Sequence, residues 1–251
     1  MKKKETKFIG FCGQKGGTGK STLNTLMASY CHFLNDNKIG FMDCDYPQHS
    51  IVDLRAKEFE LIKSDREYLA AFKKLSKPAY PILDSSSEKA VEDMKKFIDL
   101  QEGEAPYDFV FVDLPGTVKD KGFFKTIASL DHLFIPIIAD ELVIDSNLKF
   151  GNSIHHNFIG KAGQKFEGVE VRLKTMHFLW NVVDKREKTD LYSLTNDIIK
   201  EGGMKILNTQ LESSVKFRKR AFRSTMFPMN KDYIKDTKVV PLIEEIIKII
   251  R

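Results

Sequence analysis

The chain has 251 residues, 42% of them hydrophobic, and 40 Lys and Arg against 35 Asp and Glu give a formal net charge of +5. That length supports a sizeable core without staples, and so mild a charge leaves its distribution more informative than its sum. No run of about eighteen apolar residues is present to span a membrane, the charged start Met1 to Lys7 lacks the apolar core of a secretory signal, and Cys12, Cys31 and Cys44 have no metal-ligand spacing and fit a reducing cytoplasm.

The first element is an apolar run, Phe8 to Cys12, which reads as a short buried strand. It runs into Gly10-Phe-Cys-Gly-Gln-Lys-Gly-Gly-Thr-Gly-Lys-Ser-Thr22, and a helix is expected from Lys20 to Leu34. Strand, glycine turn, lysine, hydroxyl and helix, in that order, make a phosphate cradle. Gly16, Gly17 and Gly19 can adopt backbone angles that turn successive N–H groups, with that of Thr18, toward an anion. The helix start adds unpaired N–H groups and the positive end of its dipole. Lys20 can reach the β- and γ-phosphates, and the Ser21 hydroxyl can ligate Mg²⁺. The spacing departs from G-x-x-x-x-G-K-[ST], because Gln14 stands where the first glycine belongs, and Lys15 adds a second lysine inside the loop.

A second strand, within Lys38 to Asp45, ends in Asp43 and Asp45. Ligands of parallel α/β sheets sit beyond the carboxyl ends of the strands, so both carboxylates are expected near the mouth of the phosphate loop; a polar strand terminus is the plainer alternative. From Ser50 to Gln101 the chain reads as mostly helical and charged, without recognisable chemistry. Within it Tyr80 to Leu83 could be a short strand, and Ser85-Ser-Ser-Glu88 looks like a capping box for a helix from Ala90 to Leu100. Phe109-Val-Phe-Val-Asp113 is a β-forming run that ends in a carboxylate suited to hold Mg²⁺, and Pro115-Gly116-Thr117 follows as a turn.

The next strand is His132 to Ile138, where Pro136 requires a position that needs no ladder bond. A helix is expected over Asp145 to Phe158, a strand over Met176 to Asp184 with Asn181 near its end, a helix over Asp190 to Lys200 and a short strand over Met204 to Leu207. The densest basic run, Lys216-Phe-Arg-Lys-Arg-Ala-Phe-Arg223, is expected on a helix and the loop after it. Lys216, Arg218, Lys219, Arg220 and Arg223 could there meet DNA phosphates without reading bases, or form a solvated face. Val239 to Arg251 reads as a terminal helix with Glu244, Glu245, Lys248 and Arg251 on its polar stripe.

Strands alternating with helices point to one α/β domain over residues 1–251, a P-loop NTPase with a mostly parallel twisted sheet and helices on both faces. The run Gln14-Lys-Gly-Gly-Thr-Gly-Lys-Ser-Thr22 resembles the deviant Walker A motif of the ParA/MinD family of ATPases. Asp43-Cys-Asp-Tyr-Pro-Gln48 is similar to the switch I element of that family, with Tyr46 inserted. The resemblance implies ATP and Mg²⁺ as ligands, with Gln14 to Thr22 binding the nucleotide. It implies that Lys15 reaches phosphates held by the other subunit of a sandwich dimer, that Asp45 positions the hydrolytic water, that Ser21, Asp43 and Asp113 surround the metal, and that Asn181 contacts adenine. An ordinary strand-end cap is the alternative for Asn181. It further implies a short ParA-like partition ATPase in the cytoplasm, nucleoid-associated when ATP-bound. Its homodimer would bind DNA non-specifically and answer to a ParB-like partner while positioning plasmid or mobile-element DNA. A MinD-like membrane-cycling ATPase, targeted by residues 239–251, and a metabolic P-loop ligase are the alternatives; the glutamates of the terminal helix speak for packing on the core.

Overall fold

The computed structural model describes residues 5–100, 104–116, 121–184, 190–219 and 222–251. Seven strands form one sheet: β1 (Lys7–Phe11), β2 (Ile39–Asp43), β3 (Ile82–Asp84), β4 (Phe109–Asp113), β5 (His132–Ile137), β8 (Thr175–Trp180) and β9 (Lys205–Ile206). Their order is β3-β2-β4-β1-β5-β8-β9, and every pairing is parallel. β6 (Lys165–Phe166) and β7 (Val169–Glu170) form a small antiparallel hairpin that periodicity alone does not reveal.

Alternation along the strands builds two apolar layers. Phe8, Val110, Val112, Leu133, Ile135 and Phe178 face one way, against α4 (Ala90–Lys95), α5 (Lys121–Ser129), α6 (Glu141–Phe158) and α7 (Leu191–Glu201). Ile9, Phe11, Phe41, Phe111, Phe134 and Leu179 face the other, against α1 (Lys20–Phe33), α2 (Ser50–Ser64) and α9 (Val239–Ile250). Strands covered on both faces lose the polar alternation of a one-sided sheet, which is why these runs read as continuously apolar.

Several expected boundaries move. α6 begins at Glu141, four residues early, because the Asp140 carboxylate caps it by accepting from the Val143 N–H at 2.9 Å. α4 stops at Lys95, and Ser85 forms no capping box: its hydroxyl donates to Asp93 Oδ2 at 2.6 Å. The basic run forms no α-helix among its described residues. Val215–Arg218 is a single 3₁₀ turn, and Arg220 lies outside the described residues, as does Thr117. The chain between α2 and β3 carries α3 (Arg66–Lys73), capped by Asp65; α8 (Lys231–Ile234) is one short turn.

Pro136 sits in a strand hydrogen-bonded on both sides, yet its missing N–H costs nothing. β1 pairs with β5 only at His132 to Phe134, so Pro136 lies past the end of β1, and its carbonyl instead accepts from Asn147 Nδ2 at 3.4 Å. Among the described residues no helix is long and apolar enough to cross a membrane.

Candidate functional site

The turn from β1 into α1 lies at the carboxyl end of the sheet. Gly17 and Gly19 take φ of 79° and 86°, a region open chiefly to glycine; Gly16, also expected there, is not left-handed. Gly16 and Gly17 have open space where a side chain would stand, so the inner face of the loop opens into a cleft. Lys20 is buried, and its Nζ donates to the Lys15 carbonyl at 3.1 Å, while the Lys15 side chain is exposed. Thr18 is fully buried and its Oγ1 has no partner among the described residues.

Two distant asparagines brace this loop, and sequence reading assigned neither that role. Asn147 of α6 accepts the Gln14 N–H at 2.9 Å, and the neighbouring Ser146 hydroxyl donates to Gln14 Oε1 at 3.0 Å. That gives the departure at Gln14 a physical reason: an amide side chain there ties the loop to α6, which glycine cannot do. Asn181, at the end of β8, donates from Nδ2 to the Thr18 carbonyl at 2.7 Å, so the structure places it against the loop backbone. No local signal marks Ser146 or Asn147, since 133 residues separate Asn147 from its partner.

Asp43 and Asp113 stand in register at the ends of adjacent strands, with Asp84 beside them. Asp113 is fully buried. Asn24 Nδ2 lies 3.5 Å from its Oδ1, and its Oδ2 has no partner among the described residues. Burial, then Asp43, pushes its carboxyl up to about 7, against hydrogen bonds from Ser21 and Asn24. Asp43 also holds backbone at the mouth of the cleft. Its Oδ2 accepts from the Ile51 and Val52 N–H groups at 2.9 and 3.0 Å, and its Oδ1 from the Asp45 N–H at 3.3 Å. It thereby pins the loop Asp45 to Ser50 and satisfies first-turn N–H groups of α2. Asp45 is half-buried at the cleft; burial and Asp43 raise its carboxyl, while Lys20 pulls it back.

The cleft holds about 1090 Å³ and runs from Gly16 to Thr22, past Asp45 to Ser50, to Pro115 and Gly116. Its far wall is Asp84 to Lys89, a stretch whose sequence carries no recognisable chemistry. His49 Nδ1 approaches Asp84 Oδ1 at 3.1 Å across that wall. Among the described residues no three His, Cys, Asp or Glu converge to hold a metal unaided. Mg²⁺ needs only one or two protein groups, the rest of its shell coming from phosphate oxygens and water. The unpartnered Asp113 Oδ2 is a carboxylate oxygen of the kind such a shell could use.

The basic run divides. Lys219 is exposed, and Lys216 lies 3.8 Å from Asp236. Arg223 turns inward, its Nη1 3.4 Å from Thr22 Oγ1.

A family model described as ATPase MipZ matches residues 7–149, more than half of the chain. Among solved structures the chain is similar to a candidate plasmid partition protein from Borrelia burgdorferi B31 bound to AMPPNP, at 18% identity over 97% of this chain and 99% of that one, TM-score 0.63. It is similar to the septum site-determining protein MinD from Pyrococcus horikoshii OT3 complexed with Mg-ADP, at 17% identity over 98% and 97%, TM-score 0.59. It is also similar to pnob8 ParA, at 14% identity over 92% and 83%, TM-score 0.54. At such identities the likeness shows a shared fold. No curated protein sequence matches the chain.

Proposed function

The chain belongs to the MipZ family of ATPases, and from that premise we propose that it is a ParA-like positioning ATPase whose ATP-bound homodimer binds DNA non-specifically. The observation that carries the reading is the loop Gln14 to Thr22: two left-handed glycines, a buried lysine and an exposed Lys15 at the start of a 14-residue helix. Backbone N–H groups of Gly16 to Thr22 and the Lys20 amine bind the phosphates. Ser21, Asp43 and Asp113 would surround Mg²⁺, and Asp43 also fixes the loop that carries Asp45. Held there, Mg²⁺ would supply positive charge to offset that of the phosphates. Asp45, its carboxyl made more basic by burial, orients the attacking water and accepts its proton. Lys15 extends to the phosphates of a second copy, and Asn181 contacts the adenine. Lys216, Arg218, Lys219 and Arg220 meet DNA phosphates, and a ParB-like partner stimulates the slow hydrolysis that releases the dimer. Plasmid or mobile-element DNA is the cargo, and the ATP-bound protein sits on the nucleoid.

The test is a DNA-binding titration with ATP, ADP and no nucleotide, run beside light scattering. Wild type should dimerise with ATP and bind unrelated duplexes in a salt-sensitive way only then. Lys15→Ala should remain monomeric and bind no DNA. Normal ATP-driven dimerisation of Lys15→Ala would remove the cross-subunit role, and DNA binding independent of nucleotide would remove the switch.

A further inference from the structure

We infer that Arg223 binds the nucleotide, at the phosphate shared by ATP and ADP on the sugar side of the cradle, and does not belong to the DNA surface. The inference rests on reading the loop Gln14 to Thr22 as a nucleotide site; what it adds is a cation delivered from the far end of the chain.

The position of Arg223 is built from both sides. Phe222 before it is buried in the apolar layer beneath α1, edge-on to Phe217 with ring centroids 4.7 Å apart. Ser224 and Thr225 after it are gripped by α2. Glu58, itself buried, accepts from the Ser224 hydroxyl at 2.5 Å and from the Thr225 N–H at 3.0 Å. Arg55 donates from Nε to Thr225 Oγ1 at 2.7 Å and from Nη2 to the carbonyls of Thr225 and Tyr80, both at 3.0 Å. Buried ionic groups held this closely fix the backbone between them. The segment before Met226 therefore has little freedom, and Arg223 is aimed at the start of α1.

Arg223 is half-buried, Nη1 meets only the neutral Thr22 hydroxyl, and among the described residues Nε is enclosed without a partner and the guanidinium joins no ion pair. A second cation, Lys20, lies within the same turn of helix. An anion placed between them at the positive end of the helix dipole would be favourable to both cations. The N–H groups around Gly19 and the open cleft supply the place for that anion. Lys20 and Ser21 address the outer phosphates and the metal. Thr22, one residue further, and the arginine on it are left for the inner phosphate, and a guanidinium suits phosphate oxygens by its planar fork of donors.

Titration of the full chain with fluorescently labelled ADP and ATP tests this. Arg223→Ala should weaken both nucleotides about tenfold and to the same extent, as expected for a contact to a phosphate they share. Arg223→Lys should recover part of the loss, and Lys149→Ala, on the exposed side of α6, should match wild type. Circular dichroism checks the fold, and Arg223→Gln replaces the alanine variant if that variant does not fold. Affinities within twofold of wild type for both nucleotides would overturn the inference. So would a loss confined to ATP, which would move Arg223 to the terminal phosphate, or a loss confined to DNA binding, which would return it to the basic surface. A wild-type chain that binds neither nucleotide would instead sink the reading of the cleft itself, an outcome distinct from all of these.

Discussion

Gly19 shows how little a single residue in the loop can vary. At φ 86°, a Cβ on it would stand 2.3 Å from Asn181 Nδ2, the atom that donates to the Thr18 carbonyl. Gly19→Ala therefore incurs both the left-handed backbone penalty and the loss of that brace. A cost of about 1–3 kcal/mol is expected, read as a shift in the urea midpoint at unchanged slope. An unchanged midpoint would mean that Asn181 does not constrain the loop. The glycine spacing was legible as a phosphate loop because all of its residues are contiguous. The restraints from Asn147 and Asn181 were not, because nothing within a few residues of either records what it touches.

At the scale of elements, α9 decides between packing and membrane targeting. Val239, Leu242, Ile243, Ile246, Ile247 and Ile250 are buried against β1 and α1, and Lys7 Nζ donates to the carbonyls of Ile250 and Arg251, both at 2.7 Å. Glu245, expected on a solvated stripe, instead accepts from the Asn208 and Thr209 N–H groups, both at 2.8 Å. The apolar face is thus occupied by the protein itself. Ile246→Ala should cost about 2–5 kcal/mol in chemical unfolding, as for other large-to-small core changes. A loss under about 0.5 kcal/mol, the range of surface substitutions, would mean that α9 does not belong to the core. The basic run is the converse case. Its composition suggested a helix, but Val215–Arg218 is a 3₁₀ turn, and Phe222 and the Ser224–Thr225 grip are tertiary anchors beyond it.

Across the molecule, stability should depend on acidity through two histidines far from the cleft. Burial lowers His132 and His177 from the usual 6.5 to about 4, the first against the pull of Asp131. Both stay neutral in the fold while the unfolded chain takes up protons. Below about pH 6.5 the unfolded state binds more protons, so stability present above that value falls as the pH drops toward 4. The double variant His132→Gln/His177→Gln should show a shallower loss over this window in urea unfolding at stepped pH. An equal slope would mean that neither histidine is held neutral.

The sequence by itself determined the parts whose chemistry is contiguous: strand, glycine turn and helix from Phe8 onward, the strand-end Asp43 and Asp113, and the alternation that makes a parallel α/β sheet. Only the tertiary structure decided that Asp43 serves a helix start, that Asp84 to Lys89 walls the cleft, that α9 is core, and that Arg223 meets Thr22 across 201 residues. The reason is topological. In a parallel sheet of order β3-β2-β4-β1-β5-β8-β9 every carboxyl end opens on one side, so residues that share the site are gathered by strand order, which local periodicity does not encode.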